Sequence, residues 1–244
     1  MVKKIFLLGS FLVGFWSHSQ FHELGAVLGG NNYIGDVGSD RYISPRNIAI
    51  GLLYRYNVNT RYSVRAGLSL ATLFENENKT NDINRFRRRY EFENKIQEAY
   101  AGMEFNFIDF NLHEDTNQIT PYLFLGISYF RHQLLYLDSQ GSSKANYVDY
   151  GRDQTFGLPI FVGAKWNPNP LFVIGLEVGV RYTFTDNLDG SNPTKEYSDQ
   201  TQLKFGNVGN NDWFVFTGIT LSLIHISEPT RLLSISYAVF CLKK

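Results

Sequence analysis

The chain has 244 residues, of which 43% are apolar and 19% charged, and this composition excludes an intrinsically disordered protein. Lys and Arg together number 23, as do Asp and Glu, so no basic excess favours nucleic-acid binding. The single cysteine, Cys241, excludes an internal disulfide and a zinc site built from several thiolates. Aromatic residues make up 16% of the chain and occur with 21 glycines, which favours strands over helices.

Residues 1–19 have the features of a cleaved secretory signal. Two lysines precede a short, mostly apolar stretch from Ile5 to Trp16, and the small residues of Ser17–Ser19 come before Gln20. The alternative, a buried first helix, fits poorly because strand-like sequence follows at once. The mature domain is therefore predicted to begin at residue 20, outside the cytoplasm.

Apolar and polar residues alternate along the mature chain with the period of two that is typical of strands. From Phe172 to Phe184, every second residue is apolar or aromatic, and those between are polar, charged or glycine. A helix over these residues would have no continuous apolar stripe. Eight strands are predicted, at Glu23–Tyr33, Ile48–Asn57, Arg61–Phe74, Ile96–Phe107, Tyr122–Phe130, Leu158–Trp166, Leu171–Thr185 and Asp212–Leu221.

The connections between these strands alternate between short and long. Asn57–Thr60 and Asn167–Pro170 are tight turns and Ile108–Gln118 is moderate, whereas the other four connections are much longer. A soluble sandwich has no reason to place every long loop at one end, but an outer-membrane barrel has short periplasmic turns and long extracellular loops. The sequence predicts an all-β fold, an eight-stranded antiparallel up-and-down transmembrane β-barrel over residues 20–221.

The two faces of the strands differ in the way that a barrel requires. The predicted outward face is apolar, with aromatic residues near both strand ends that would form the interfacial girdles. Four acids and four bases fall on the opposite face, and in a narrow barrel we expect them to fill the lumen as paired ions. A proton or ion path is the alternative. This predicted lumenal charge network consists of Glu23, Arg55, Arg65, Glu98, Glu104, Lys165, Glu177 and Arg181.

An arginine-rich stretch lies in the second long loop, on the side where lipopolysaccharide phosphates are expected. Guanidinium groups bind such anionic oxygens with paired hydrogen bonds, so the stretch is a candidate contact for lipopolysaccharide or for a partner; a solvated loop is the alternative. Its arginines are Arg85, Arg87, Arg88 and Arg89.

The moderate turn at the periplasmic end is the only one of the three that is long and acidic enough to present a distinctive docking surface. Periplasmic proteins are its candidate partners, and a solvated turn is the alternative. The candidate docking residues are Asp109, Asn111, His113, Glu114 and Asp115.

No motif of a hydrolase, a metalloprotease or a phosphate-binding loop occurs in the sequence. The only histidine predicted at the extracellular rim, His132, has no evident catalytic partner. We therefore expect no enzymatic activity, no cofactor and no small-molecule substrate. The acidic residues of the last long loop, such as Asp186 and Asp189, are expected to be solvated. Calcium binding by these residues is the alternative.

The strand pattern stops after Leu221. Residues 222–244 resemble translated sequencing-adapter read-through, and Cys241 lies within them. We expect this tail to be non-native and to contribute nothing to folding.

Seven segments of the chain carry a family resemblance: His22–Gly25, Gly29–Asp36, Glu104–Phe107, Asp109–His113, Thr120–Phe124, Phe184–Asp189 and Asn210–Gly218. In matching order along most of the chain, they resemble the PorG-like outer-membrane family of the type IX secretion system. This resemblance implies an outer-membrane location, a structural role in anchoring a periplasmic ring of secretion proteins, and no catalytic residues. An independent porin-like or ligand-binding barrel is the alternative.

Overall fold

The computed structural model describes residues 21–38, 43–79, 82–112, 117–138, 146–207 and 209–226. The predicted signal and most of the predicted tail lie outside these ranges. The strands are β1 (Phe21–Ile34), β2 (Asn47–Asn57), β3 (Tyr62–Asn76), β4 (Glu91–Asn106), β5 (Gln118–Asp138), β6 (Asn146–Asn169), β7 (Phe172–Thr183) and β8 (Trp213–Ile226). A short helix, α1 (Ile83–Arg88), and three 3-10 turns, at Glu77–Lys79, Lys195–Tyr197 and Thr201–Leu203, lie in the loops.

The strands form one closed antiparallel barrel. Each strand pairs with the next in sequence, and β8 pairs with β1 along the full length of both strands. Closure leaves no sheet edge with unpaired backbone groups, which is the condition for strands to cross a bilayer. The predicted fold class, an eight-stranded up-and-down antiparallel barrel, is confirmed.

Apolar side chains cover the outside of this barrel. Leu24, Leu52, Leu68 and Leu176 are each at least 60% exposed, although they lie in mid-strand. Such a surface is stable against lipid rather than water, and the chain is an outer-membrane β-barrel. In the described part of the chain, helices long and apolar enough to cross a membrane are absent.

Exposed aromatic residues lie near both ends of the apolar band. At the end with short turns, which we call the periplasmic end, they include Tyr62 and Trp166. At the opposite end, with the long loops, they include Tyr129, Phe156 and Phe184. These two sets occupy the positions of the interfacial girdles of outer-membrane barrels.

Three strands extend further toward the extracellular side than the sequence pattern predicted. β4 begins at Glu91 rather than Ile96, β5 continues to Asp138, and β6 begins at Asn146. The extensions lie above the aromatic girdle, where neither face of the sheet must be apolar. The alternation of apolar and polar residues therefore does not identify them as strands. A register shift between Leu134 and Leu135 also interrupts the period of two there.

The last strand ends later than predicted. β8 continues past Leu221 to Ile226, and Ser222–Ile226 pairs with the beginning of β1. The Ser222 hydroxyl donates a hydrogen bond of 2.7 Å to Glu23. The predicted barrel boundary at residue 221 is therefore corrected to Ile226, because the first residues of β1 need a partner strand to satisfy their backbone groups.

Glycines on the inner wall make room for aromatic rings. A Cβ atom added at Gly179 would lie 2.0 Å from the ring of Phe161, and one at Gly67 would lie 2.4 Å from that of Tyr100. Both distances are far below van der Waals contact. The rings of Tyr100, Phe124 and Phe161 therefore pack flat against the wall and fill the middle of the lumen.

Candidate functional site

The barrel interior contains all eight residues of the predicted lumenal charge network. Each is at most 4% exposed. They lie on strands β1 to β4, β6 and β7, whose inward positions are fixed by the alternation of side chains. The structure arranges them as three groups of ion pairs, centred on Glu104, Glu177 and Glu98.

Glu104 is the centre of the group nearest the periplasmic end. Its carboxylate accepts from Lys165 Nζ at 2.8 Å and lies 3.0 Å from Arg55 Nε. Arg55 also contacts Glu23 with its Nη1 at 2.5 Å. Asn57 donates a further hydrogen bond of 2.7 Å to Glu23. This group joins strands from both halves of the barrel.

Arg65 and Glu177 form the central pair. Arg65 Nη1 and Nη2 donate to the two carboxylate oxygens at 2.8 and 3.0 Å, which is a bidentate arrangement. The Tyr122 hydroxyl donates to the same carboxylate at 2.6 Å. The guanidinium group lies 5.4 and 5.2 Å from the ring centres of Phe124 and Phe161, so it has both a charged partner and aromatic faces.

Arg181 and Glu98 form the third pair, toward the extracellular end. Arg181 Nε lies 2.9 and 3.0 Å from the two carboxylate oxygens. Ser69 donates to the same carboxylate at 2.7 Å. The Arg181 guanidinium group lies 4.6 Å from the ring centre of Phe161 and 5.2 Å from that of Phe216.

These pairs and rings leave little free volume. The cavity between Glu98, Tyr100 and Arg181 measures about 10 Å³, which holds roughly one water molecule. Removing one member of a buried ion pair leaves an uncompensated charge, and this is strongly destabilising. At this level the interior is therefore a packed structural core.

At the periplasmic end, the predicted acidic turn is only partly described. His113, Glu114 and Asp115 lie outside the described residues. Asp109 is exposed and forms an ion pair with Arg61 at 2.5 Å between Nε and Oδ1. The hydrogen bond and charge of Arg61 lower the pKa of Asp109.

The same turn is anchored to the barrel by residues that the sequence argument did not single out. Phe110 and Leu112 are buried against Val173 and Ile224 in an apolar cluster. The Lys165 ammonium lies 4.8 Å from the Phe110 ring centre. Asn111 is held by two hydrogen bonds with Gln118, at 2.6 and 2.8 Å. The described part of the turn, residues 109–112, thus packs against the periplasmic end of the barrel and holds Asp109 there.

At the extracellular end, the structure divides the arginine-rich stretch. Arg88 pairs with Glu77 and lies 4.7 Å from the ring centre of Phe205. Arg85 Nη1 donates to the Gly38 carbonyl at 3.3 Å. Arg87 and Arg89 are exposed. Two of the four guanidinium groups thus fasten α1 to neighbouring loops, and two face outward.

A group of buried carboxylates lies under the loop between β7 and β8. Asp189 and Asp212 are fully or almost fully buried, and the Tyr33 hydroxyl donates to Asp212. Burial raises the pKa of both carboxyls, and each is raised further by a neighbouring carboxylate. Burial and the charges of Asp189 and Asp36 raise the pKa of Asp186 to about 6.

Among the described residues, groups of three acidic, histidine or cysteine side chains placed to hold a metal ion are absent.

Comparison with known families matches residues 2–231 to DUF6089, a domain of unknown function. The chain belongs to the DUF6089 family. Comparison with curated proteins gives no match. The matched range contains all eight strands of the barrel.

Several solved structures are similar to the DUF6089 barrel at low sequence identity. Neisserial surface protein A is 11% identical, with 84% of this chain and 97% of that chain covered and a TM-score of 0.45. The attachment invasion locus protein Ail of Yersinia pestis is 13% identical, with coverage of 84% and 97% and a TM-score of 0.41. A major outer membrane protein from Thermus thermophilus is 14% identical, with coverage of 85% and 100% and a TM-score of 0.43.

Proposed function

We propose that this DUF6089 barrel is a non-enzymatic, non-conducting structural protein that anchors periplasmic ring proteins of the type IX secretion machinery to the outer membrane. The observation that carries the structural role is the filled interior. All eight lumenal charges are buried and take part in ion pairs. With no room for a solute inside, contacts with other molecules fall to the ends and the outer surface. The secretion machinery enters the proposal through the sequence resemblance to the PorG-like family.

The form of the periplasmic end supports a docking role there. Phe110 and Leu112 fix residues 109–112 to the barrel base, so this part of the docking face is preorganised and loses little conformational entropy on binding. Asp109 and Arg61 are 62% and 44% exposed at this face. The acidic residues of the turn suit a basic patch on a periplasmic partner, and such complementarity guides association and specificity.

The outer leaflet of the membrane supplies the second class of partner in this proposal. Arg87 and Arg89 are exposed on the loop that carries α1, where they suit lipopolysaccharide phosphates. Arg85 and Arg88 support them by holding α1 in place.

A cross-linked pull-down from membranes tests the anchoring role. The triple variant Asp109→Ser, Glu114→Ser, Asp115→Ser should keep the gel-mobility shift of a folded barrel and recover less of the ring proteins. Each exposed charge contact contributes roughly 0.2–1 kcal/mol, so the three changes are made together. Asp149→Ser with Glu196→Ser and Asp199→Ser, at the extracellular end, is the matched control. If the triple variant recovers as much of the ring proteins as the parent protein and supports secretion equally well, this turn is not the contact.

A further inference from the structure

A broad groove runs along the lipid-facing surface of strands β2 to β5. Its volume is about 610 Å³. Leu52, Leu68 and Leu70 lie along one side, Tyr129 lies on the other, and Ala99 lies between them. The three leucine side chains are 54 to 64% exposed. The small side chain of Ala99 leaves the surface concave at acyl-chain depth.

A small basic pocket continues the groove toward the extracellular side. It measures about 100 Å³ and is lined by Lys95, Arg131 and Arg152 from three adjacent strands. Gln97 and Arg131 line both the pocket and the groove, so the two are continuous. Outward positions of β4, β5 and β6 converge here because Gln97 pairs with Arg131 and Gln133 pairs with Arg152 in the sheet.

The cations of this pocket have few protein partners. In the part of the chain that the structure describes, the Arg131 and Arg152 guanidinium groups have neither an ion pair nor a hydrogen bond. Lys95 has one distant contact, 4.0 Å to Glu93, and its side chain is 71% exposed. Unpaired cations on a face that otherwise meets lipid indicate an external anion.

The height of the pocket matches the level of headgroup phosphates. Arg131 is the next outward residue of β5 after Tyr129, which packs edge-on against Phe156 in the extracellular aromatic girdle. One outward step along a strand rises about 7 Å. Aromatic girdles lie at the interface between acyl chains and headgroups, so Arg131 lies at the phosphates and the groove lies below them.

We propose that this face is a binding site for the lipid A part of lipopolysaccharide. Lys95, Arg131 and Arg152 bind a lipid phosphate, and an acyl chain occupies the groove beside Ala99. Charge complementarity selects an anionic lipid over a second barrel, since a second copy would bring the same three cations. The site lies on the outer leaflet and does not depend on the proposed docking turn.

Native mass spectrometry of the purified full-length barrel, with diphosphorylated lipid A as the probe, tests this site. The triple variant Lys95→Gln, Arg131→Gln, Arg152→Gln should lower lipid A binding by at least about tenfold. Dephosphorylated lipid A should bind the parent protein as weakly as diphosphorylated lipid A binds this variant. Lys195→Gln with Lys204→Gln removes two cations from the loop between β7 and β8 and should leave the binding intact.

Filling the groove tests the acyl-chain half of the site. Ala99→Trp places a large side chain in the groove while the three cations remain, and it should weaken lipid A binding without changing the folded-barrel gel mobility. Parent-level binding by either Ala99→Trp or the triple glutamine variant would overturn the proposal. Loss of binding only with Arg87→Gln and Arg89→Gln would also overturn it and would assign the lipid to the loop.

Discussion

Glu104 shows what a single buried carboxylate does in a barrel of this width. It lies within ion-pair distance of Arg55 on β2, Arg65 on β3 and Lys165 on β6. One side chain thus compensates cations from opposite walls of the barrel. Without it, Lys165 would have no ion-pair partner within the described residues, and a buried uncompensated charge is strongly unfavourable.

We therefore expect Glu104→Gln to lower the free energy of unfolding by about 3 kcal/mol. The midpoint of urea unfolding, followed by the gel mobility of the folded band, measures this change. Glu93→Gln is the control, because Glu93 is on the same strand but 42% exposed and should change stability by less than about 0.5 kcal/mol. Equal midpoints for the two variants would contradict the role of Glu104.

Asp186 gives a pH dependence to the extracellular loop between β7 and β8. Its pKa in the folded protein is raised from 3.8 to about 6, so the folded state holds a proton that the unfolded loop has released. Stability of the loop is therefore highest at low pH and falls as the pH rises from about 4 to about 6. Because Asp186 is only partly buried, we expect a loss of about 1 kcal/mol.

The rate of limited proteolysis in this loop measures the effect. Cleavage of the parent should be about fivefold faster at pH 7 than at pH 4 after correction for the protease itself. Asp186→Asn should reduce this difference, and Asp189 and Asp212, whose pKa values are also raised by burial, account for the part that remains. Asp199→Asn, an exposed aspartate of the same loop, should behave as the parent does, and an unchanged pH dependence in Asp186→Asn would refute the assignment.

At the scale of elements, β8 decides whether the barrel closes. Its last residues, Ser222–Ile226, pair with the beginning of β1, and Leu223 also pairs with Phe172 on β7. Ile224 packs in the apolar cluster that holds the periplasmic turn. The end of the strand thus supports both closure and the turn.

A chain shortened after Ile226 should therefore fold, whereas a chain shortened after Leu221 should not close. The shorter chain leaves backbone groups of β1 unpaired at the membrane, and each such group is costly in lipid. Refolding into detergent, followed by the gel-mobility shift on boiling, separates the two outcomes. Ser222→Ala removes only the hydrogen bond to Glu23 and should fold like the parent. Normal folding after truncation at Leu221 would show that these residues are dispensable.

At the scale of the whole molecule, side chains fill the lumen of the barrel. Ion pairs occupy the lumen at three levels, and aromatic rings lie between them. Phe110 and Leu112 close the periplasmic mouth. Tyr90, Phe92, Leu188 and other buried apolar residues form a cluster beneath the extracellular loops.

We expect the purified barrel not to conduct ions in planar bilayers, because no eight-stranded lumen filled in this way leaves a continuous water path. A general porin in the same bilayers is the positive control. Stable, large single-channel steps from the barrel, present in independent preparations, would contradict the filled interior and favour the porin-like alternative.

The sequence alone determined the strand count, the antiparallel topology and the inward position of the eight charges. These follow from local geometry, because alternate residues of a strand point to opposite faces and loop length decides how neighbouring strands connect. The extended ends of β4 to β6 were missed because the alternation of apolar and polar residues weakens above the membrane.

Only the tertiary structure decided which charges meet. Arg65 and Glu177 are far apart in sequence, and they pair because the strand register brings β3 and β7 to the same level across the lumen. The same cause brings Lys95, Arg131 and Arg152 into one pocket. The period of two fixes the face of each side chain, whereas its height and its neighbours depend on the pairing of all eight strands.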